Sequence, residues 1–172
     1  MRFHLAALIF IPTSLFAAGG NDEPPTKPTV FCSGSEVYDE KLKKCVTPKE
    51  SSLDRDELYE TVRQLAYAER YEDAQGVLAA MPEDDSGRLT YMGFTHRKLG
   101  NMDLAMAYYR EAIRLDPNNN LARSYMGQGL VEDGQISAAL EQLLDIRRHG
   151  GSGTWAEESL RLAIATGRTY NY

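Results

Sequence analysis

The chain has little with which to do metal or redox chemistry: in 172 residues there are two cysteines, three histidines and one tryptophan. His4 falls in an N-terminal apolar segment, so a site with several nitrogen or sulfur ligands is hard to assemble from what remains. Positive charge is also short. The formal net charge is −6, and about −7 without the first twenty residues, whose only charged side chain is Arg2; this opposes general binding to nucleic acid or anionic lipid. No glycine-rich phosphate loop is present, and Glu83-Asp84-Asp85 lacks the Asp-x-Asp-x-Asp-Gly spacing of a calcium loop. Acid–base catalysis would have His96 and His149 as its imidazoles. His149 stands beside Arg147 and Arg148 near a helix end, where the dipole favours a cation, and His96 takes a packing place in a helix pair. The shortages together argue against an enzyme and against a bound cofactor or metal.

Long apolar runs are scarce as well. The one from Leu5 to Phe16 follows Arg2, is broken by Pro12, and runs into Ala17, Ala18, Gly19 and Gly20. It falls short of the roughly 20 residues that cross a bilayer. The pattern predicts a secretory signal peptide over 1–20, hence a periplasmic or secreted protein with no stable membrane insertion after cleavage. Residues 21–29, NDEPPTKPT, carry too little apolar surface to order themselves and read as a linker. In an oxidising compartment Cys32 and Cys45 are expected to pair, closing a loop of about 14 residues that stabilises by roughly 3 kcal/mol. Twelve intervening residues are too many for a thioredoxin-type dithiol. The segment 21–52 is therefore read as linker plus a small disulfide-stapled hairpin.

What the chain does have is helical periodicity. From Leu53 to Met81, apolar residues at Leu58, Val62 and Leu65 and again at Ala74, Leu78 and Met81 recur at helical spacing, with Asp54 and Glu57 placed to form a capping box and Pro82 as a stop. Ser86 to Asn119 contains a second pair, with Gly100 as a left-handed stop and Asn101 as the next cap. Met126-Gly127, Gly134, Ala139 and Leu143 lie 34 residues beyond Met92-Gly93, Gly100, Ala105 and Tyr109, which makes the pattern a phased array. Thr154-Trp155-Ala156-Glu157 opens a final helix through Thr166, with Ala156, Leu160, Ala163 and Ile164 on one face, and Gly167 stops it before a short tail, 168–172, whose tyrosines are candidates to pack back.

The residues Met92-Gly93, Ala105, Tyr109, Ala112 and Pro117, with Leu89 and His96 in place of a Trp and a Tyr, make Ser86–Asn119 resemble a tetratricopeptide repeat. The resemblance implies an all-α, right-handed α-solenoid: repeats at 54–85, 86–119 and 120–153 and a capping helix over 154–167. Arg123, Leu130 and Gly151 depart from the pattern in the third repeat. In this family the first helix of each pair lines a concave groove that binds peptides. Here that face carries Tyr59, Glu60, Arg63 and Tyr67, then Thr90, Tyr91, Phe94, Arg97 and Lys98, then Ser124, Tyr125 and Gln128. Aromatic rings offer contact area at low entropy cost, and the cations suit carboxylates or main-chain carbonyls. The alternative for the same rings is packing against each other or against the stapled segment. The Lys and Asn set with which one subgroup grips a carboxylate is replaced by Tyr59, Arg63 and Tyr125, so that specificity does not transfer.

The function implied is a non-catalytic adaptor that binds another protein or a peptide segment. The competing reading rests on the Cys, Gly, Tyr-Asp, Cys order of 32–45, which is similar to small disulfide-bonded carbohydrate-binding modules over fewer than twenty residues and without their further cysteines. It makes the hairpin a cell-wall or carbohydrate binder and the array a spacer.

Overall fold

A computed structural model describes residue 30 and residues 32–171. The predicted signal peptide, 1–20, and the linker, 21–29, lie outside the described residues. At the N-terminal end, β1 (Val37–Asp39) and β2 (Lys44–Val46) pair antiparallel, with Val37 opposite Val46 and Tyr38 opposite Cys45. The Asp39 carboxylate shapes the turn by accepting the Lys41 and Leu42 amides, each at 2.9 Å, and Cys32–Cys45 is a disulfide. Strand alternation puts Val37 and Val46 on one face, and there they enter the same core cluster as Leu58 and Val62. Arg70 fastens the hairpin by donating to the Cys32 and Gly34 carbonyls, at 3.1 and 2.8 Å. The hairpin therefore caps the first helix pair.

Seven α-helices follow among the described residues: α1 (Arg55–Tyr67), α2 (Tyr71–Leu78), α3 (Ser86–Lys98), α4 (Met102–Leu115), α5 (Asn120–Glu132), α6 (Ile136–Arg148) and α7 (Trp155–Thr166). Asp54 and Glu57 form the expected reciprocal capping box on α1. Four of the six helix-to-helix turns, α1–α2, α3–α4, α5–α6 and α6–α7, share one solution. Arg70, Asn101, Gln135 and Gly151 donate their amides back to Leu65, His96, Leu130 and Ile146, and the preceding residue is left-handed in each case: Glu69, Gly100, Gly134 and Gly150. This is the Schellman closure, which satisfies carbonyls that the helix end leaves unpaired.

Three local expectations need correction. The second helix ends at Leu78, before Pro82, because the Ala80 and Met81 amides turn back to Val77 and Leu78 in a tighter spiral. Asn101 stands at the N-cap of α4 without a side-chain cap bond. At α7 the Thr154 hydroxyl accepts the Glu157 amide, but the Glu157 carboxylate reaches past Thr154 to accept the Gly153 amide at 2.7 Å.

Each helix packs on its own partner and on the first helix of the next pair, and successive first helices, α1, α3, α5 and α7, also lie against one another. Fully buried Ala105, Ala112, Ala122 and Ala139 keep these approaches close. Because the first helices share neighbours along the array while the second helices are spread apart, the first helices occupy the inner, concave side. α7 packs on both α5 and α6 and so closes the last pair.

Candidate functional site

The concave side is built on a row of rings, one from each first helix. Tyr59 to Tyr91, Tyr91 to Tyr125 and Tyr125 to Trp155 have ring centroids 5.4, 6.2 and 6.0 Å apart, each pair edge-on, and Phe94 sits 4.8 Å from Tyr125. Edge-to-face rings at such separations attract beyond their buried area. The 34-residue period puts Tyr91 and Tyr125 at the same place on α3 and α5, and Tyr59 lies 32 residues before Tyr91 on α1. Trp155, the first residue of α7 and 30 residues after Tyr125, lies off the repeat register and joins the row through the packing of α7, so periodicity carries no signal for it.

Of the twelve residues expected to line the groove, eight are withdrawn from solvent: Arg63, Thr90, Tyr91, Phe94, Arg97, Ser124, Tyr125 and Gln128, all at 5% exposure or less. Tyr59, Glu60 and Lys98 are half-buried, and Tyr67 is 47% exposed. The rings thus pack on each other as the bland alternative had it, and they form the floor beneath a smaller open surface. A shallow hollow is lined by Arg63, Ala66, Tyr67, Tyr91, Phe94, Tyr125 and Asn171.

Burial pushes the Tyr91 and Tyr125 phenols upward, and the Tyr109 phenol to about 12, so none ionises near neutral pH. Burial also pulls the Lys98 ammonium down, with the Arg97 charge adding to the effect. Arg97 donates to Glu132 at 2.8 Å from a fully covered side chain, and its Nη1 is thereby matched. Arg63 makes a 2.9 Å ion pair with Glu60 one turn earlier. Neither cation is a loose charge on the rim.

The two imidazoles have local explanations. His96 stacks flat on Tyr108 with centroids 5.4 Å apart, and burial lowers its pKa. The His149 ring nitrogen meets the Asp145 carbonyl at 2.8 Å, one turn back on the same helix. Among the described residues no three His, Cys, Asp or Glu side chains gather as a metal site, and no helix is long and apolar enough to cross a membrane.

Stacked helix pairs with one shared concave face define an α-solenoid, a form in which neighbouring repeats bury each other's apolar faces and the inner surface is left for binding. Residues 88–119, spanning most of α3 and α4, match the family model for the tetratricopeptide repeat. The fold is an all-α solenoid of that type, and such repeats serve protein–protein interaction. No curated protein and no solved structure matches the chain.

Proposed function

We propose that this protein is an exported adaptor that holds a segment of another protein against its concave face without acting on it chemically. The observation that carries the reading is the exposed Tyr67 beside the shallow hollow, backed by a floor of interlocked rings contributed by successive first helices. A rigid aromatic floor with one ring left open offers contact area that costs little entropy to order. The apolar segment after Arg2 supports export, to the periplasm or beyond the cell, and the negative net charge suits neither nucleic acid nor an anionic membrane as partner.

A photo-crosslinking residue at Tyr67 tests this against the same residue at Arg110, on the outer helix α4. Protein adducts specific to position 67 are expected in envelope preparations. Identical adducts from both positions would remove the groove from the account.

A second reading draws on a cleft of about 180 Å³ between the hairpin and α1, where Glu36, Tyr38 and Glu40 face Thr61 and Gln64. It makes the hairpin a carbohydrate-binding element. Retention on polysaccharide by the intact chain, lost when Tyr38 is replaced by Ala, would favour it over the adaptor.

A further inference from the structure

The segment after α7 does not leave the molecule; it turns at left-handed Gly167 and crosses the concave face. Thr169 donates its hydroxyl to Glu132 at 2.8 Å, and the Tyr170 amide donates to the Gln128 side-chain carbonyl at 2.6 Å. Asn171 then reaches the hollow beside Tyr67. Two features underneath receive it, one suited to a main-chain N–H and one to a side-chain hydroxyl. Gln128 is fully buried, its amide group turned toward Ser124, so that its carbonyl is left for an incoming N–H. Glu132 is held by the buried Arg97 and presents the same oxygen to the Thr169 hydroxyl.

We infer that the tail is an internal occupant of the groove, and that the partner is an extended segment with a Ser or Thr followed by an aromatic residue, which displaces the tail. The inference rests on the groove reading above and adds both the partner's chemistry and its control. A rival segment must supply a hydroxyl to Glu132, a main-chain N–H to Gln128, and a ring for the site against the Leu130 and Ala163 cluster where Tyr170 packs. Displacement is feasible because few contacts hold Thr169 and Tyr170: the hydrogen bonds to Glu132 and Gln128, a 3.3 Å hydroxyl contact between Tyr170 and Thr166 at the end of α7, and one half-buried ring. A tail tethered at an effective concentration of roughly 1 mM weakens a peptide that would otherwise bind at about 50 µM by about twentyfold.

The test uses a fluorescein-labelled hexapeptide with the sequence of residues 167–172, Gly-Arg-Thr-Tyr-Asn-Tyr, read by anisotropy against the intact chain and a Thr169→Gly, Tyr170→Gly double variant. At least tenfold tighter binding to the double variant, abolished by adding Gln128→Met, is expected. Equal affinity for the two proteins, or no binding to either, overturns the inference while the crosslinking at Tyr67 judges the groove separately. Should the double variant not keep its helical circular dichroism, the intact chain is titrated with millimolar peptide and the Tyr170 amide followed by hydrogen exchange. Loss of protection supports displacement, and unchanged protection overturns it.

Discussion

The ring of Tyr109 occupies the space that Gly93 leaves by having no side chain: a Cβ at Gly93 would stand 2.5 Å from Tyr109 Cε1 and 2.6 Å from Cδ1. Tyr109 is fully buried and belongs to α4, so this contact sets how closely α3 and α4 approach. Gly93→Ala gains about 1 kcal/mol of helix propensity, but the ring is rigid and enclosed, and overpacking costs about 1–3 kcal/mol. The clash wins. Thermal melts are expected to show a net loss, and an unchanged midpoint would mean that the helix pair is looser than its geometry. At Gly127 the atoms met are the branch ends of Leu160, which rotate more readily, so Gly127→Ala is expected to cost less.

Glu69 is the residue in the first turn that does the work of Gly100 and Gly134 in the later ones, with φ at +59°. A left-handed conformation costs a residue with a Cβ about 1–2 kcal/mol relative to glycine. Glu69→Gly is therefore expected to stabilise the chain by about 1 kcal/mol, raising the melting midpoint by roughly 2–4 °C for a chain of this size. The mirror experiment is Gly100→Ala, which meets no atom within 4 Å and so loses stability through the backbone alone. A gain from Gly100→Ala would refute the argument.

The helices were legible because a helix pair imposes small residues at fixed places, and Gly93, Ala105 and Tyr109 recur as Gly127, Ala139 and Leu143. The accessible part of the concave face was not. Helical spacing says which residues share a face, yet the face of a first helix is divided between the seam with the next first helix and the open groove. Tyr91, Phe94 and Tyr125 fall in the seam, and Tyr67 falls outside it. Arg97 looked like a free cation because its partner Glu132 is 35 residues away on another helix. The path of residues 168–171 has no periodicity behind it; two hydrogen bonds to α5 define it.

Asp39 gives the hairpin a pH dependence. The Ser52 amide, 2.5 Å away, and the Leu42 amide donate to its carboxylate, with Lys41 behind them, and hold its pKa at about 2. An unfolded aspartate titrates near 4, about two units higher. The folded form thus prefers the ionised state: its contribution is complete above pH ~4 and disappears as the pH falls through about 2. Asp39→Asn should flatten this part of the pH–stability profile. Following the Val37 and Ser52 amides by NMR between pH 6 and 2 checks it, and early loss of the Ser52 bond above pH 4 would count against the assignment.

Glu132 joins two things that the sequence keeps apart, the buried Arg97 guanidinium and the Thr169 hydroxyl. Arg97 is fully covered and Glu132 is 34% exposed, so removing the carboxylate strands a buried charge, while removing the arginine strands a carboxylate that water can reach. Breaking a fully buried pair from one side costs about 3–5 kcal/mol, and the exposure of Glu132 brings the expected loss for Glu132→Ala to about 2 kcal/mol. Arg97→Met keeps the packing under Gly129, where the Arg97 Cδ would lie 3.1 Å from an added Cβ, and is expected to cost less. The two effects should not add. In the Arg97→Met background Glu132→Ala is expected to be nearly neutral, giving a coupling of about 1–2 kcal/mol in a double-mutant cycle. Additive losses would show that Glu132 is not what balances the Arg97 charge. The tail would then be anchored to a carboxylate with no structural duty of its own.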